Sequence, residues 1–251
     1  MAHRGFAAAV AAAVIGVSVA GCGSGHQPAE SKDGRATSTA GSAYSGLSDV
    51  PERLGKDGTT ITVGDPAAPV TVHLYEDPRC PVCKEFETTG GAPRLRSATI
   101  RRETKTEYTL ASFLDDRLTG SGSRKAVNAL RAALDEGKFA EYHDVLYAHQ
   151  PAESVDGFTD GYLLKLAGRV PGLRGPDFDS AVKTMKYRSF VIRSEKAYEE
   201  AGEVKGPGTP TAEIDGIRVP AEYNGVLFDG DVFSGLLAKI RANPDVWQDA
   251  G

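Results

Sequence analysis

Apolar residues are spaced differently in successive parts of this chain. Phe6 to Val19 is a nearly unbroken run dominated by Ala and Val, whereas Gly23 to about Val50 is rich in Ser, Gly, Ala and Thr and has neither a helical nor a strand period. Ordered elements are predicted from Thr59 onward. Thr59–Val63 and Val70–Tyr75 are β-branched and apolar runs, and the intervening Gly64-Asp65-Pro66-Ala67-Ala68-Pro69 carries the glycine and prolines of a turn. A helix is predicted to begin at Cys80 and to run through Glu85-Phe86 until Gly90-Gly91 interrupts it. The alternation of Thr106, Tyr108 and Leu110 marks a strand over Thr106–Ala111.

From Ser123 to about Gly202 the period becomes helical. Ala126, Leu130 and Ala133 share one face, followed by Phe139, Tyr142 and Leu146 and then by Leu163, Leu166 and Val170. Thr159 and Asp177 are expected to cap helix starts, and Gly137 and Gly202 to stop helices. Strands are predicted at Thr211–Ile214, at Ile217–Val219 after the Asp215-Gly216 turn, and at Tyr223–Phe228. A closing amphipathic helix carries Leu236, Leu237 and Ile240. Strand, cysteine-bearing helix, strand, helical block, strands, helix is the order of an α/β domain with an inserted helical subdomain. The expected boundaries are 51–122 and 203–251 for the α/β part and 123–202 for the insertion.

Composition agrees with one globular domain plus extensions. The chain has 251 residues, 40% apolar and 25% charged, which excludes a disordered or multi-span membrane protein. A net charge of -5 without a block of consecutive Lys or Arg argues against a nucleic-acid partner. Of the three cysteines, Cys22 stands alone while Cys80 and Cys83 are separated by two residues, so no structural disulfide framework is available.

The amino-terminal run, preceded by Arg4, is shorter than the roughly 20 apolar residues a spanning helix needs, and reads as a cleaved secretory signal. Val19-Ala20-Gly21-Cys22 resembles the lipobox of bacterial lipoproteins. That resemblance implies removal of residues 1–21 as a signal peptide and lipidation of Cys22, with the chain held at the extracytoplasmic face of the cell membrane. Two acyl chains, at about 0.8 kcal/mol per buried methylene, suffice for such an anchor. An ordinary secretory signal with a chance cysteine is the alternative. Residues 22–50 then form a flexible tether.

The Cys80-Pro81-Val82-Cys83 motif carries the candidate chemistry. Placed at a helix start, Cys80 is the N-cap and Pro81 the first helical residue, where a missing N–H and a fixed φ are favourable. The Cys80 sulfur can accept from the free amides of Val82 and Cys83, and the helix dipole favours negative charge there. Both effects stabilise the thiolate, the nucleophilic form, and Cys83 on the same helical face can resolve a mixed disulfide. Arg79 is expected to favour the thiolate, Glu76 and Asp77 to oppose it. A tetrahedral zinc site would need two further ligands; no second cysteine pair exists, and His143 and His149 are poorly spaced on a helix. With Met1 and Met185 alone, no thioether-rich copper site is visible.

The motif preceded by Val70-Thr71-Val72-His73-Leu74-Tyr75, followed by Lys84-Glu85-Phe86-Glu87 and answered by Gly206-Pro207-Gly208-Thr209-Pro210-Thr211, resembles the DsbA-like branch of the thioredoxin superfamily. Phe139 to Tyr147 is similar to the inserted helical region of its bacterial members. The resemblance spans about residues 57 to 242. It implies a thioredoxin fold with an inserted helical subdomain and an exported thiol-disulfide oxidoreductase, with Cys80 and Cys83 as catalytic residues. Pro210 is expected to be cis, with the Thr209-Pro210 loop against the cysteines and Pro81 and Val82 completing the substrate contact.

No organic cofactor is implied, because the two sulfurs carry both electrons. The expected partners are proteins with cysteine thiols and a membrane redox partner. Val82 stands where the best-known oxidases carry histidine, and Leu74 where many relatives carry a buried acid; Glu76 is the candidate replacement. Disulfide oxidation is the leading expectation. A reductase or isomerase of the same fold, a copper or zinc carrier and a peptide-binding lipoprotein are the alternatives. The histidines His26, His73, His143 and His149 are expected in the tether, in a strand or on helix surfaces.

Overall fold

A computed structural model of the chain describes residues 42–202 and 204–248. The signal run, Cys22, His26 and residues 23–41 of the expected tether lie outside them. Strands β1 (Glu52–Leu54), β2 (Ile61–Gly64) and β3 (Val70–Glu76) lead into helices α1 (Pro81–Thr88) and α2 (Ala92–Ile100) and then strand β4 (Thr104–Leu110). Helices α3 (Leu114–Leu118), α4 (Gly122–Asp135), α5 (Phe139–Ala148), α6 (Asp160–Ala167), α7 (Pro176–Thr184) and α8 (Arg188–Glu200) follow. Strands β5 (Thr211–Ile214) and β6 (Ile217–Arg218) and helices α9 (Gly225–Phe228), α10 (Gly230–Ala242) and α11 (Pro244–Gln248) complete the chain.

The strands form one mixed sheet in the order β1-β2-β4-β3-β5-β6. β3 and β4 are parallel, Val70 opposite Thr104 through Glu76 opposite Leu110, and every other neighbouring pair is antiparallel. A parallel pair needs a crossover, which α1 and α2 supply. The β3-helix-β4 unit followed by β5, β6 and α10 is a thioredoxin fold, and helices α3 to α8 are inserted between its halves.

Binary patterning explains the core. Val70, Val72 and Leu74 alternate inward along β3, while Thr71 and His73 are half-buried on the other face. The carboxyl end of β3 is covered on both sides, so Tyr75 and Glu76 are buried as well. Phe86 of α1 meets Phe228 and Phe233 edge to face, with ring centroids 6.5 and 6.2 Å away. Gly91 permits this approach: a Cβ there would stand 2.5 Å from the Phe233 ring.

In the insertion, α4 buries Ala126, Val127, Ala129, Leu130 and Ala133 and packs against α5, α7 and α8. Buried Asn128 donates to the Ala181 carbonyl at 3.1 Å and accepts from the Tyr187 amide at 2.9 Å, joining α7 to α8. Distant carboxylates cap the helix starts. Asp115 accepts from the Ser123 and Arg124 amides of α4, both at 2.9 Å, and Glu52 of β1 accepts from Phe139 and Ala140 of α5 at 2.8 and 2.6 Å. Each cap satisfies amides that have no partner within their own helix.

Four expectations change. Tyr223–Phe228 is not a strand but a 3-10 turn, Ala221–Tyr223, followed by α9; Tyr223 and Leu227 are four apart, a helical spacing, and only Leu227 is buried. The N-cap of α7 is Gly175, with Pro176 first in the helix and Asp177 in its first turn, whereas Thr159 does cap α6 through its side chain. Within the expected tether, Leu47–Asp49 is a 3-10 turn, Val50 is buried, and the Tyr44 amide bonds the Ile100 carbonyl at 2.9 Å with Arg102 over the Tyr44 ring. Helix α2 went unpredicted because Arg94, Arg96 and the small residues Ala92 and Ala98 blunt its apolar face. Among the described residues no helix is long and apolar enough to cross a membrane.

Candidate active site

The carboxyl end of β3 delivers Asp77-Pro78-Arg79 directly into the start of α1. Cys80 is the N-cap, in extended backbone, and Pro81 opens the helix. The Cys83 amide donates to the Cys80 sulfur at 3.4 Å, and both cysteines are free thiols. The Thr209–Pro210 peptide is cis and brings the Thr209 carbonyl within 3.3 Å of the Cys80 sulfur. Gly206 shapes this loop, with φ +87 and no room for a Cβ, which would stand 2.3 Å from the Tyr198 ring. The Tyr198 hydroxyl accepts from the Gly208 amide at 3.2 Å, and its ring stacks on Phe113 at 5.3 Å.

The two sulfurs are electrostatically unlike. Hydrogen bonding from the Cys83 thiol, the Thr209 side chain and the Cys83 and Val82 amides outweighs burial and draws the Cys80 thiol down to about 6. Burial pushes the fully enclosed Cys83 thiol well above its ordinary value, and the charges of Glu76 and Cys80 add to the effect. At neutral pH the thiolate is thus favoured at Cys80 and the thiol at Cys83.

A cleft of about 390 Å³ opens over Cys80, lined by Pro81, Val82, Phe113, Tyr198 and Thr209 among others. Val82 and Val204 expose their side chains there, 43% and 81% accessible, beside the charged residues Arg117, Glu153 and Lys205. A larger groove of about 800 Å³ between α4 and α8 holds no cysteine. The predicted residues Cys80, Cys83, Pro81, Val82, Thr209 and Pro210 are thus brought together; Cys22 lies outside the described residues.

Of the groups about the cysteines, Gln150 was not singled out by sequence, and Asp77, Arg79 and His143 make contacts that sequence did not place. Gln150 donates from Nε2 to the Pro78 and Cys80 carbonyls at 2.8 and 2.9 Å, closing the loop from the side of the insertion. Asp77 accepts from the Arg79 amide, the Leu114 amide and the Ser123 hydroxyl, and burial raises its carboxyl to about 7. Arg79, expected to favour the thiolate, instead pairs with Asp115 at 2.9 Å and the Glu153 carbonyl at 3.1 Å. His143, expected on a helix surface, is buried and 3.0 Å from Glu76. The spacing that turns Phe139, Tyr142 and Leu146 inward also carries His143, the neighbour of Tyr142, into the core.

The described region matches known proteins along most of its length. The family model described as Thioredoxin covers residues 56–226. The sequence is 28% identical over 186 residues to a Na(+)/H(+) antiporter, NhaA 3, of Salinispora tropica; the match takes in 72% of this chain but only 25% of that protein. It is 24% identical over 161 residues to a probable disulfide bond formation protein D of Bacillus cereus, covering 63% of this chain and 71% of that one. In structure it is similar to oxidised BdbD from Bacillus subtilis, with a TM-score of 0.61 at 21% identity over 80% of this chain and 100% of the other. The family model, the sheet order and the cysteine-capped helix coincide on the same residues, and the chain belongs to the thioredoxin family.

Proposed function

We propose that this chain is an exported thiol-disulfide oxidoreductase that donates a Cys80–Cys83 disulfide to the thiols of substrate proteins. The opposite displacement of its two thiols carries the reading. A thiolate held at Cys80 stabilises the dithiol form and makes the disulfide the better oxidant. With the Cys80 thiol at about 6, this stabilisation at pH 7 is about 1.4 kcal/mol, or about 30 mV for a two-electron couple. A substrate thiolate attacks Cys80, the more accessible sulfur, and Cys83 leaves. Val82, Phe113 and Val204 offer an extended substrate segment apolar contacts in a cleft that also carries Arg117, Glu153 and Lys205, and the Thr209–Pro210 loop can hold its backbone. The similarity to BdbD and to the Bacillus cereus protein supports the same chemistry.

The lipobox-like Val19-Ala20-Gly21-Cys22 supports export and lipid attachment, with residues 22 to about 41 as the link to the folded part. Mass analysis of the mature amino terminus tests the anchor, and Cys22→Ala is expected to release the protein from membranes. The decisive measurement is the reduction potential of the Cys80–Cys83 couple in glutathione mixtures. A potential well above thioredoxin's, about -270 mV, is the expected result. One at or below it overturns the oxidising direction, and failure to form a reversible disulfide overturns the activity.

A further inference from the structure

The charged residues of the cleft over Cys80 are not scattered, and disulfide exchange as described above makes no use of them. Phe113, just ahead of α3, stacks on Tyr198 of α8 with ring centroids 5.3 Å apart and planes 9° from parallel. The Arg117 guanidinium lies over the same Phe113 ring, 4.6 Å from its centroid. Tyr198 in turn accepts from the Gly208 amide at 3.2 Å, and the Glu199 carbonyl accepts from the Gly206 amide at 3.1 Å. These contacts fasten the loop that carries Lys205 to α8. Arg117 and Lys205 are thereby gathered about one aromatic stack at the cleft wall. Glu153, which also lines the cleft, comes from elsewhere: the loop between α5 and α6, where its carbonyl accepts from Arg79 at 3.1 Å.

Neither cation is spent within the protein. Asp115 and Asp116, next to Arg117 in the chain, pair with Arg79 and with Arg124. Among the described residues no carboxylate lies within ion-pair distance of Arg117 or Lys205, and no protein acceptor meets an Arg117 N–H. A cation–π contact orients a guanidinium without consuming its N–H donors, which stay available to a planar, bidentate acceptor such as a carboxylate. The Cys80 thiolate has its own hydrogen bonds from Cys83, Thr209 and Val82. Arg79, adjacent to Cys80 in sequence, is buried and occupied by Asp115. We propose that Arg117 and Lys205 select substrate segments that carry an Asp or Glu within a few residues of the reacting cysteine, Arg117 pairing with that carboxylate. The proposal rests on the exchange activity proposed above and names the class of segment on which it acts.

An acidic flank also bears on the chemistry. A carboxylate beside the substrate cysteine opposes its ionisation, and the thiolate is the attacking form. Arg117 and Lys205 offset that opposition once the segment is bound. A segment with Lys or Arg in the same place instead meets two like charges as it approaches. Glu153 has the reverse preference, so a segment acidic on one side of its cysteine matches the cleft better than one acidic on both. All three side chains are exposed, so the selection acts mainly on encounter, and therefore on kcat/KM, and salt weakens it.

Stopped-flow exchange between the oxidised full chain and synthetic dithiol peptides tests the proposal. The peptides share one sequence and differ in carrying Asp or Lys on the amino or the carboxyl side of the first cysteine. On the favoured side, the Asp-to-Lys ratio of kcat/KM should be about ten-fold higher in wild type than in the double variant Arg117→Glu, Lys205→Glu at low ionic strength. Comparing proteins on one peptide pair cancels the peptides' own difference in thiol acidity. Arg117→Lys should keep part of the preference and Arg117→Gln should lose it to the extent of a few-fold. In wild type the ratio should shrink in about 1 M salt, where charges are screened beyond about 3 Å; the peptides' intrinsic difference would move it the other way. Equal ratios in wild type and double variant, or a wild-type ratio that salt does not lower, overturn the selection while leaving exchange standing. A wild-type protein that exchanges with none of the peptides overturns the exchange activity and the selection with it. The wild-type salt dependence decides even if a variant fails to fold.

Discussion

The side-chain amide of Gln150 donates to the carbonyl of Cys80 at 2.9 Å and, from the same nitrogen, to that of Pro78 at 2.8 Å. A residue just beyond α5 of the insertion thereby fixes the backbone from which the Cys80 sulfur projects. Gln150→Leu leaves two carbonyls without this donor, at about 1–3 kcal/mol for each buried group so stranded. The variant should unfold at lower urea with an unchanged m-value, and its Cys80 should react more slowly with iodoacetamide at pH 7 as the N-cap geometry loosens.

Cys80 should also govern how the redox couple responds to pH. Its folded value of about 6 lies below the ordinary thiol value, so the dithiol form gains stability as pH rises from about 6 toward the unfolded value. That gain is lost as pH falls through 6, and the disulfide form has no counterpart. The reduction potential should therefore fall by about 30 mV per pH unit above the break and about twice that below it, since one or two protons accompany two electrons. A single slope through pH 6 in a redox titration would exclude the thiolate.

Much of this site was legible because local chemistry dictates it. A cysteine followed by proline at a helix start fixes which sulfur sees the free amides, and two residues between the sulfurs fix which is enclosed. The residues that set the buried environment were not legible in the same way. Glu76, Glu87 and His143 come from β3, α1 and α5 and meet only because β3 and α1 are consecutive and α5 packs on α1. No spacing along the chain announces such a meeting. Gln150 and Asp115 likewise act on backbone groups 70 and 8 residues away. The 3-10 turn and α9 escaped prediction for a different reason, since six residues are too few to separate a period of two from one of 3.6.

Val82 offers a direct handle on oxidising strength. It is exposed at the cleft rim, so Val82→His should be accommodated without repacking and should place a cation beside the Cys80 thiolate when protonated. A further drop of one unit in the thiol would raise the reduction potential at pH 7 by about 30 mV. Paired measurements of the alkylation pH profile and the glutathione equilibrium check this, because both must move together if the thiolate is the cause.

Arg79 and Asp115 bind the cysteine loop to the insertion through a buried ion pair at 2.9 Å, with side chains 3% and 0% exposed. Asp115 simultaneously caps α4, so its loss strands two helix amides and leaves the Arg79 guanidinium only the more distant Asp156 carboxylate, at 3.8 Å, and the Glu153 carbonyl. Asp115→Ala should destabilise the protein by about 3 kcal/mol, the low end of the cost of removing one partner of a buried ion pair, because Asp156 still faces the guanidinium. Arg79→Met removes the cation but leaves the Asp115 carboxylate its two amide donors, and should cost less. Urea melts of both variants distinguish the roles: equal losses would mean that the ion pair alone holds this junction, whereas a larger loss at Asp115 assigns part of the coupling to the start of α4.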